Sequence, residues 1–181
     1  MSSNMNSAAR AQHSEPNITL YGRIAADPVG YVSWPTPDLH FSIVIDDAYS
    51  GITVIDGQPS FFEAGRRNFG LIRSNRYTNS LPGEVRTKIP LNPPQGMSRQ
   101  EFARQLVVNS QKFASYVSPY SAPKNIFGSR MRPGEYNSSS YVAGLLKSVT
   151  GYVPLVSAPG YQTPGWENPM PAHYYKGEAI R

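Results

Sequence analysis

The chain contains no cysteine. A disulfide framework, a thiolate zinc site, an iron–sulfur cluster and a cysteine nucleophile are therefore all excluded from the sequence as it stands. The absence is silent on compartment, because a chain without thiols is compatible with any redox poise. Charge is also scarce, at 16% of residues, which argues against a coiled coil or a charged disordered chain. No apolar run approaches the ~18 residues needed to cross a bilayer. No basic-then-apolar signal segment opens the chain, so it is expected to be cytoplasmic in its producer, with export by a route that ignores signal peptides left open.

The chain does have 181 residues, 39% hydrophobic and 12% aromatic, with 17 prolines and 15 glycines. That length suits one domain able to bury a core without covalent staples. Residues 1–17 read as a polar leader, 18–176 as the domain and 177–181 as a tail. The formal net charge is +5, a balance that can favour nucleic acid, anionic membrane surfaces or cell-wall polymers. The basic residues are mostly dispersed. Arg66, Arg67, Arg73, Arg76, Arg86 and Lys88 form a loose cluster with no nucleic-acid motif beside it, so an ordinary solvated basic face is the expectation.

Short β-type runs fill the first half. Ile18–Ile24 suggests a strand, and 25–38 a turn-rich, proline-bearing connection. Leu39–Asp46 is the clearest strand, with Phe41, Ile43 and Ile45 alternating with Ser42 and Val44. A turn at 47–51 leads into a returning strand, Ile52–Asp56, closed by Gly57 and Pro59. The stretch 61–82 gives no clear pattern, and Glu84–Leu91 alternates as another strand. Ser98 and Glu101 have capping-box spacing, with Met97 and Phe102 placed for a hydrophobic staple. Phe102, Leu106, Phe113 and Val117 then recur at helical spacing up to Pro119. A second helix is predicted over 137–149, stopped by Gly151. The proline-rich 152–175 reads as an irregular strap anchored by Tyr152, Tyr161, Trp166, Tyr174 and Tyr175.

Two places could carry chemistry. His40 opens the best strand, whereas His13 and His173 lie in the leader and the strap. The run Tyr136-Asn137-Ser138-Ser139-Ser140-Tyr141 begins the second helix. Three serines there suit capping alone. A serine in a first helical turn also sits where developing negative charge is favoured and where free amides can serve as oxyanion donors. No metal-ligand spacing appears among the histidines and acids, and no cofactor is implied.

A histidine opening an apolar strand, then a hairpin, then an Asn-led helix start resembles papain-like NlpC-type amidases. The order "LHFSIVID" first and "YNSSSYVAGLL" about a hundred residues later is similar to their circularly permuted branch, which includes lecithin retinol acyltransferase-like proteins. "VIDGQPS" and "PGWENPMP" also look like a bacterial subgroup. The resemblance covers roughly 39–171. It implies an α+β permuted papain-like fold, with an antiparallel sheet packed against the nucleophile helix. Carried over, His40 matches the general base and Ser138 stands where the family has its cysteine nucleophile. Asp56, ahead of Thr53 and Gln58, is the candidate for orienting the imidazole. Tyr136, Asn137, Ser139, Tyr141 and Trp166 are the candidate substrate contacts.

Serine is far less acidic than cysteine, so His40 would have to take its proton during attack. A working serine enzyme, an inactive relative and an exchanged cysteine all remain open on sequence. The activity implied is hydrolysis or acyl transfer at an amide or ester of a cell-wall peptide, isopeptide or acyl-lipid. Such a small basic domain also resembles bacterial effector or toxin domains, which would bring a cognate inhibitor protein as partner. The alternative is a catalytically inactive module that binds a peptide or glycan. A weaker reading is an anion or nucleic-acid binder built on the basic cluster.

Overall fold

The computed structural model describes residues 15–25, 37–60, 70–114, 118–121 and 131–177. Most of the expected leader with His13, most of the 25–38 connection, Arg66, Arg67, Val117 and most of the tail lie outside them. Five strands form one antiparallel sheet: β1 (Asn17–Ile24), β2 (Leu39–Asp47), β3 (Gly51–Pro59), β4 (Ile72–Thr78) and β5 (Val85–Pro90), in spatial order β4-β3-β2-β1-β5. Two helices, α1 (Arg99–Lys112) and α2 (Ser138–Thr150), make the protein α+β.

Strand alternation divides the sheet into two faces. Ile18 and Leu20 of β1 stand beside Ile45 and Ile43 of β2, and these join Phe41 and Ile55 in the core. The helices cover this face. Gly57 marks the closest approach of α2: a Cβ there would lie 2.6 Å from the Tyr141 Cβ. Burial runs all round α2 from Ser138 to Leu146, so this helix is inside the domain rather than on its flank. The strap crosses its outer side, with Trp166 against Phe41 at 4.8 Å between rings and Tyr175 donating to the Tyr141 carbonyl at 2.6 Å.

Several sequence expectations need correction. The returning strand does not close at Gly57 but runs to Pro59, because β4 pairs with it along Gly57, Gln58 and Pro59. β4 itself gave no pattern: its sequence, IRSNRYT, has one buried apolar residue, Ile72. It is an edge strand, which can hold its place by ladder bonds with charged side chains outward. α1 ends at Lys112, short of Pro119. Phe113 turns out of the helix into a pocket of Tyr141, Tyr174 and Tyr175, and the Ala114 amide donates to Tyr174 O at 2.8 Å. The capping box is half made: Ser98 Oγ accepts from the Glu101 amide at 3.1 Å, but the Glu101 carboxylate turns to Arg104 and Gln105. In the strap, a short 3-10 turn spans Ala172–Tyr175, and Tyr152 is half exposed instead of anchored. The described members of the basic cluster are divided between opposite edges, Arg73 and Arg76 on β4, Arg86 and Lys88 on β5. No described helix is long and apolar enough to cross a membrane.

Candidate functional site

The site is built on the sheet face turned away from α2. Gly57 faces Tyr141 of α2 and Phe41 lies in the core that α2 covers, so their neighbours His40 and Asp56 alternate to the other side. There the His40 Nε2 lies 3.5 Å from the Asp56 Oδ2, with side-chain exposures of 11% and 0%. Asp56 is held from its other oxygen by Asn75 of β4, whose Nδ2 donates to Oδ1 at 3.1 Å. With Asn75 the pair forms a row across three strands, β2, β3 and β4, fixed by the register that sets Asp56 opposite Asn75.

Burial lowers the pKa of His40 below its ordinary 6.5; the neighbouring Asp56 pulls it up, and the Arg23 charge on β1 lowers it further. The ring is neutral at pH 7 and able to accept a proton. Nε2 faces the Asp56 carboxylate at 3.5 Å without making a hydrogen bond to it. Among the described residues, four buried side-chain polar atoms lack a hydrogen-bond partner: His40 Nε2, Ser42 Oγ, Asp56 Oδ2 and Arg73 Nε. By alternation all four belong to this one face. Native proteins leave few such groups, and two of these, His40 Nε2 and Asp56 Oδ2, face each other at 3.5 Å.

The serine run is resolved by its partners. Asn137, not a serine, is the N-cap of α2: its Oδ1 accepts from the Ser140 amide at 3.0 Å. Gly151, in the left-handed region at φ 84°, closes the other end as expected. Ser140 Oγ donates to the Gly165 carbonyl at 3.0 Å and Ser139 Oγ to the Leu39 carbonyl at 3.3 Å. Ser138 alone of the three has no backbone acceptor. Its hydroxyl lies 3.4 Å from the Tyr120 hydroxyl. Burial pushes the Tyr120 phenol up, with hydrogen bonds from the Ser138 hydroxyl and amide working against it, so the phenol stays protonated at neutral pH. Tyr120 also senses the charges of Arg23 and Asp56.

The structure therefore brings His40 and Asp56 into contact. The Ser139–Leu39 bond brings the start of α2 to the residue preceding His40. No hydrogen bond joins Ser138 to His40, whose ring stands on the opposite face of the sheet from the one that α2 covers. Thr53 alternates to the helix face with Ile55, away from His40, and Gln58 accepts from Arg73 Nη2 at 3.5 Å. Most of the expected substrate contacts are enclosed. Tyr141 is fully buried, its hydroxyl 2.7 Å from Ser74 Oγ. Trp166 is buried and donates through Nε1 to the Pro154 carbonyl. Asn137 and Ser139 are buried and occupied by the bonds above. Tyr136 is half-buried and keeps some free surface. Tyr120, Arg23 and Asn75 were missed: each lies on a segment whose importance comes from pairing with distant strands.

Among the described residues no three His, Asp or Glu side chains gather as a metal site would require. Comparison of the chain with protein-family models, with curated proteins and with solved structures finds no match to any of them.

Proposed function

We propose that this protein is a papain-like hydrolase or acyltransferase of the permuted NlpC type, acting on an amide or ester bond with Ser138 as nucleophile and His40 as base. The observation that carries the reading is the contact between His40 and the fully buried Asp56 carboxylate. It is an arrangement that orients an imidazole and stabilises its protonated form. Ser138 Oγ would form a bond to the substrate carbonyl carbon while its proton passes to His40. The N–H of Ser138 or its neighbour would hold the oxyanion at the α2 N-terminus. Collapse breaks the bond to the leaving amine or alcohol, which takes the proton back from His40. Water, or an acceptor hydroxyl or amine, then releases the acyl group by the same steps. Because α2 packs on the opposite face of the sheet from His40, this reading requires Ser138, the first residue of α2, to leave Tyr120 and reach the imidazole around the end of β2 when substrate binds. The substrate classes are cell-wall peptides, isopeptides and acyl-lipids, and a role as a bacterial effector or toxin domain follows from the same resemblance.

A serine-directed fluorophosphonate tests it. The reagent should label Ser138, and His40→Ala should abolish labelling. Labelling that persists unchanged in Ser138→Ala removes the assignment. One observation favours the second reading, an inactive module that binds a peptide or glycan: the Ser138 hydroxyl is engaged with Tyr120 rather than with His40. On that reading no turnover or labelling appears, and binding survives Ser138→Ala.

A further inference from the structure

Arg23 and His40 are directly opposed Cα partners in the β1–β2 ladder. Residues so opposed present their side chains to the same face, within ~5.5 Å at Cβ. Arg23 therefore lies beside the imidazole on the face that carries Asp56. On its other side the β1–β5 register shifts between Gly22 and Arg23. Such irregularities bend a strand and re-aim a side chain, and they concentrate next to active sites.

Arg23 is half-buried, yet its guanidinium makes no hydrogen bond or ion pair to any described residue. The other arginines next to acids use them: Arg86 pairs with Glu84, and Arg104 with Glu101. The acid on its own face, Asp56, is taken by His40 and Asn75. A guanidinium partly withdrawn from water without a partner gives up hydration for no compensating bond. A sheet that keeps one at this position has a use for it. Three separate groups, His40, Tyr77 and Tyr120, feel its charge, which sets it among the members of the candidate site.

We propose that Arg23 is an anion-recognition residue of this site, and that the substrate carries a carboxylate or phosphate group close to the acyl bond presented to Ser138. The guanidinium fork matches both anions in two-point geometry. The acyl part of this statement rests on the function proposed above; the anion part does not.

Two measurements keep these separate. The first compares hydrolysis of 4-nitrophenyl hemisuccinate and 4-nitrophenyl butyrate, esters of equal acyl length that differ by a terminal carboxylate. The ratio of their kcat/KM values should fall about tenfold or more in Arg23→Gln, as expected for loss of a charge-assisted pair, and recover in part in Arg23→Lys. Any change that Arg23 makes to the basicity of His40 affects both esters and cancels in the ratio. An unchanged ratio overturns the proposal. The second follows the His40 ring signals by NMR during titration with succinate and, separately, with inorganic phosphate. A saturable shift with one or both anions, lost in Arg23→Gln of unchanged fold by circular dichroism, supports the anion site and tells carboxylate from phosphate. No saturable shift with either overturns it. If neither ester is turned over by the unaltered protein, acyl transfer falls, and the titration alone decides on Arg23.

Discussion

Ser139 and Leu39, a hundred positions apart in the chain, are joined by a buried hydrogen bond from the serine hydroxyl to the leucine carbonyl at 3.3 Å. This bond ties the first turn of α2 to the residue preceding His40. It sets the distance between the two halves of the candidate site, which no element holds by itself. Ser139→Ala should cost about 1 kcal/mol, the usual net value of such a bond. A modest fall in melting temperature checks that. Loss of fluorophosphonate labelling at Ser138 beyond the small unfolded fraction would show that the bond also positions the nucleophile.

His40 makes the fold sensitive to acid. Its folded pKa is below the unfolded value of 6.5, so between the two the unfolded chain binds more protons. Stability contributed by this group is complete above pH 6.5. It declines as pH falls from there to the folded pKa, and is constant below it. Denaturant melts over that window should show this slope, and His40→Gln should flatten it.

Removing the Asp56 charge should lower the pKa of His40 further, because Asp56 is what raises it against burial and Arg23. An NMR titration of Asp56→Asn gives the direction. An unchanged or higher value would mean that the 3.5 Å contact does not orient the ring in solution. The Tyr77 phenol, which burial and then the Asp56 charge push up, should shift downward in the same variant.

Gly57 and Gly151 are needed for different reasons. Gly57→Ala would drive a methyl to 2.6 Å from Tyr141 Cβ and 2.8 Å from its Cγ. Overpacking of this kind costs about 1–3 kcal/mol, and it would push α2 away from β3. At Gly151 there is open space, but φ is 84°. Gly151→Ala should lose about 1 kcal/mol through backbone strain alone. Thermal melts of both separate the two effects, since only Gly57→Ala should also disturb the near-ultraviolet signal of the buried Tyr141.

Local pattern in the sequence was enough for β1, β2 and β5, both helix starts and the glycine stop of α2. Period-two burial, an Asn or Ser cap and a left-handed residue are properties of a few neighbouring residues. His40 and Ser138 could likewise be singled out as residue types at element starts, and Asp56 as the carboxylate of the strand that returns after His40. Tertiary structure decided the rest. β4 has almost no apolar alternation because an edge strand is held by ladder bonds and polar packing. α1 stops at Lys112 because Phe113 is drawn between Tyr141, Tyr174 and Tyr175. Tyr141 and Trp166 became core rather than ligand contacts because α2 is enclosed on all sides. The roles of Tyr120, Asn75 and Arg23 depend on strand register. Register brings together side chains that are far apart in the chain, and no local spacing encodes it.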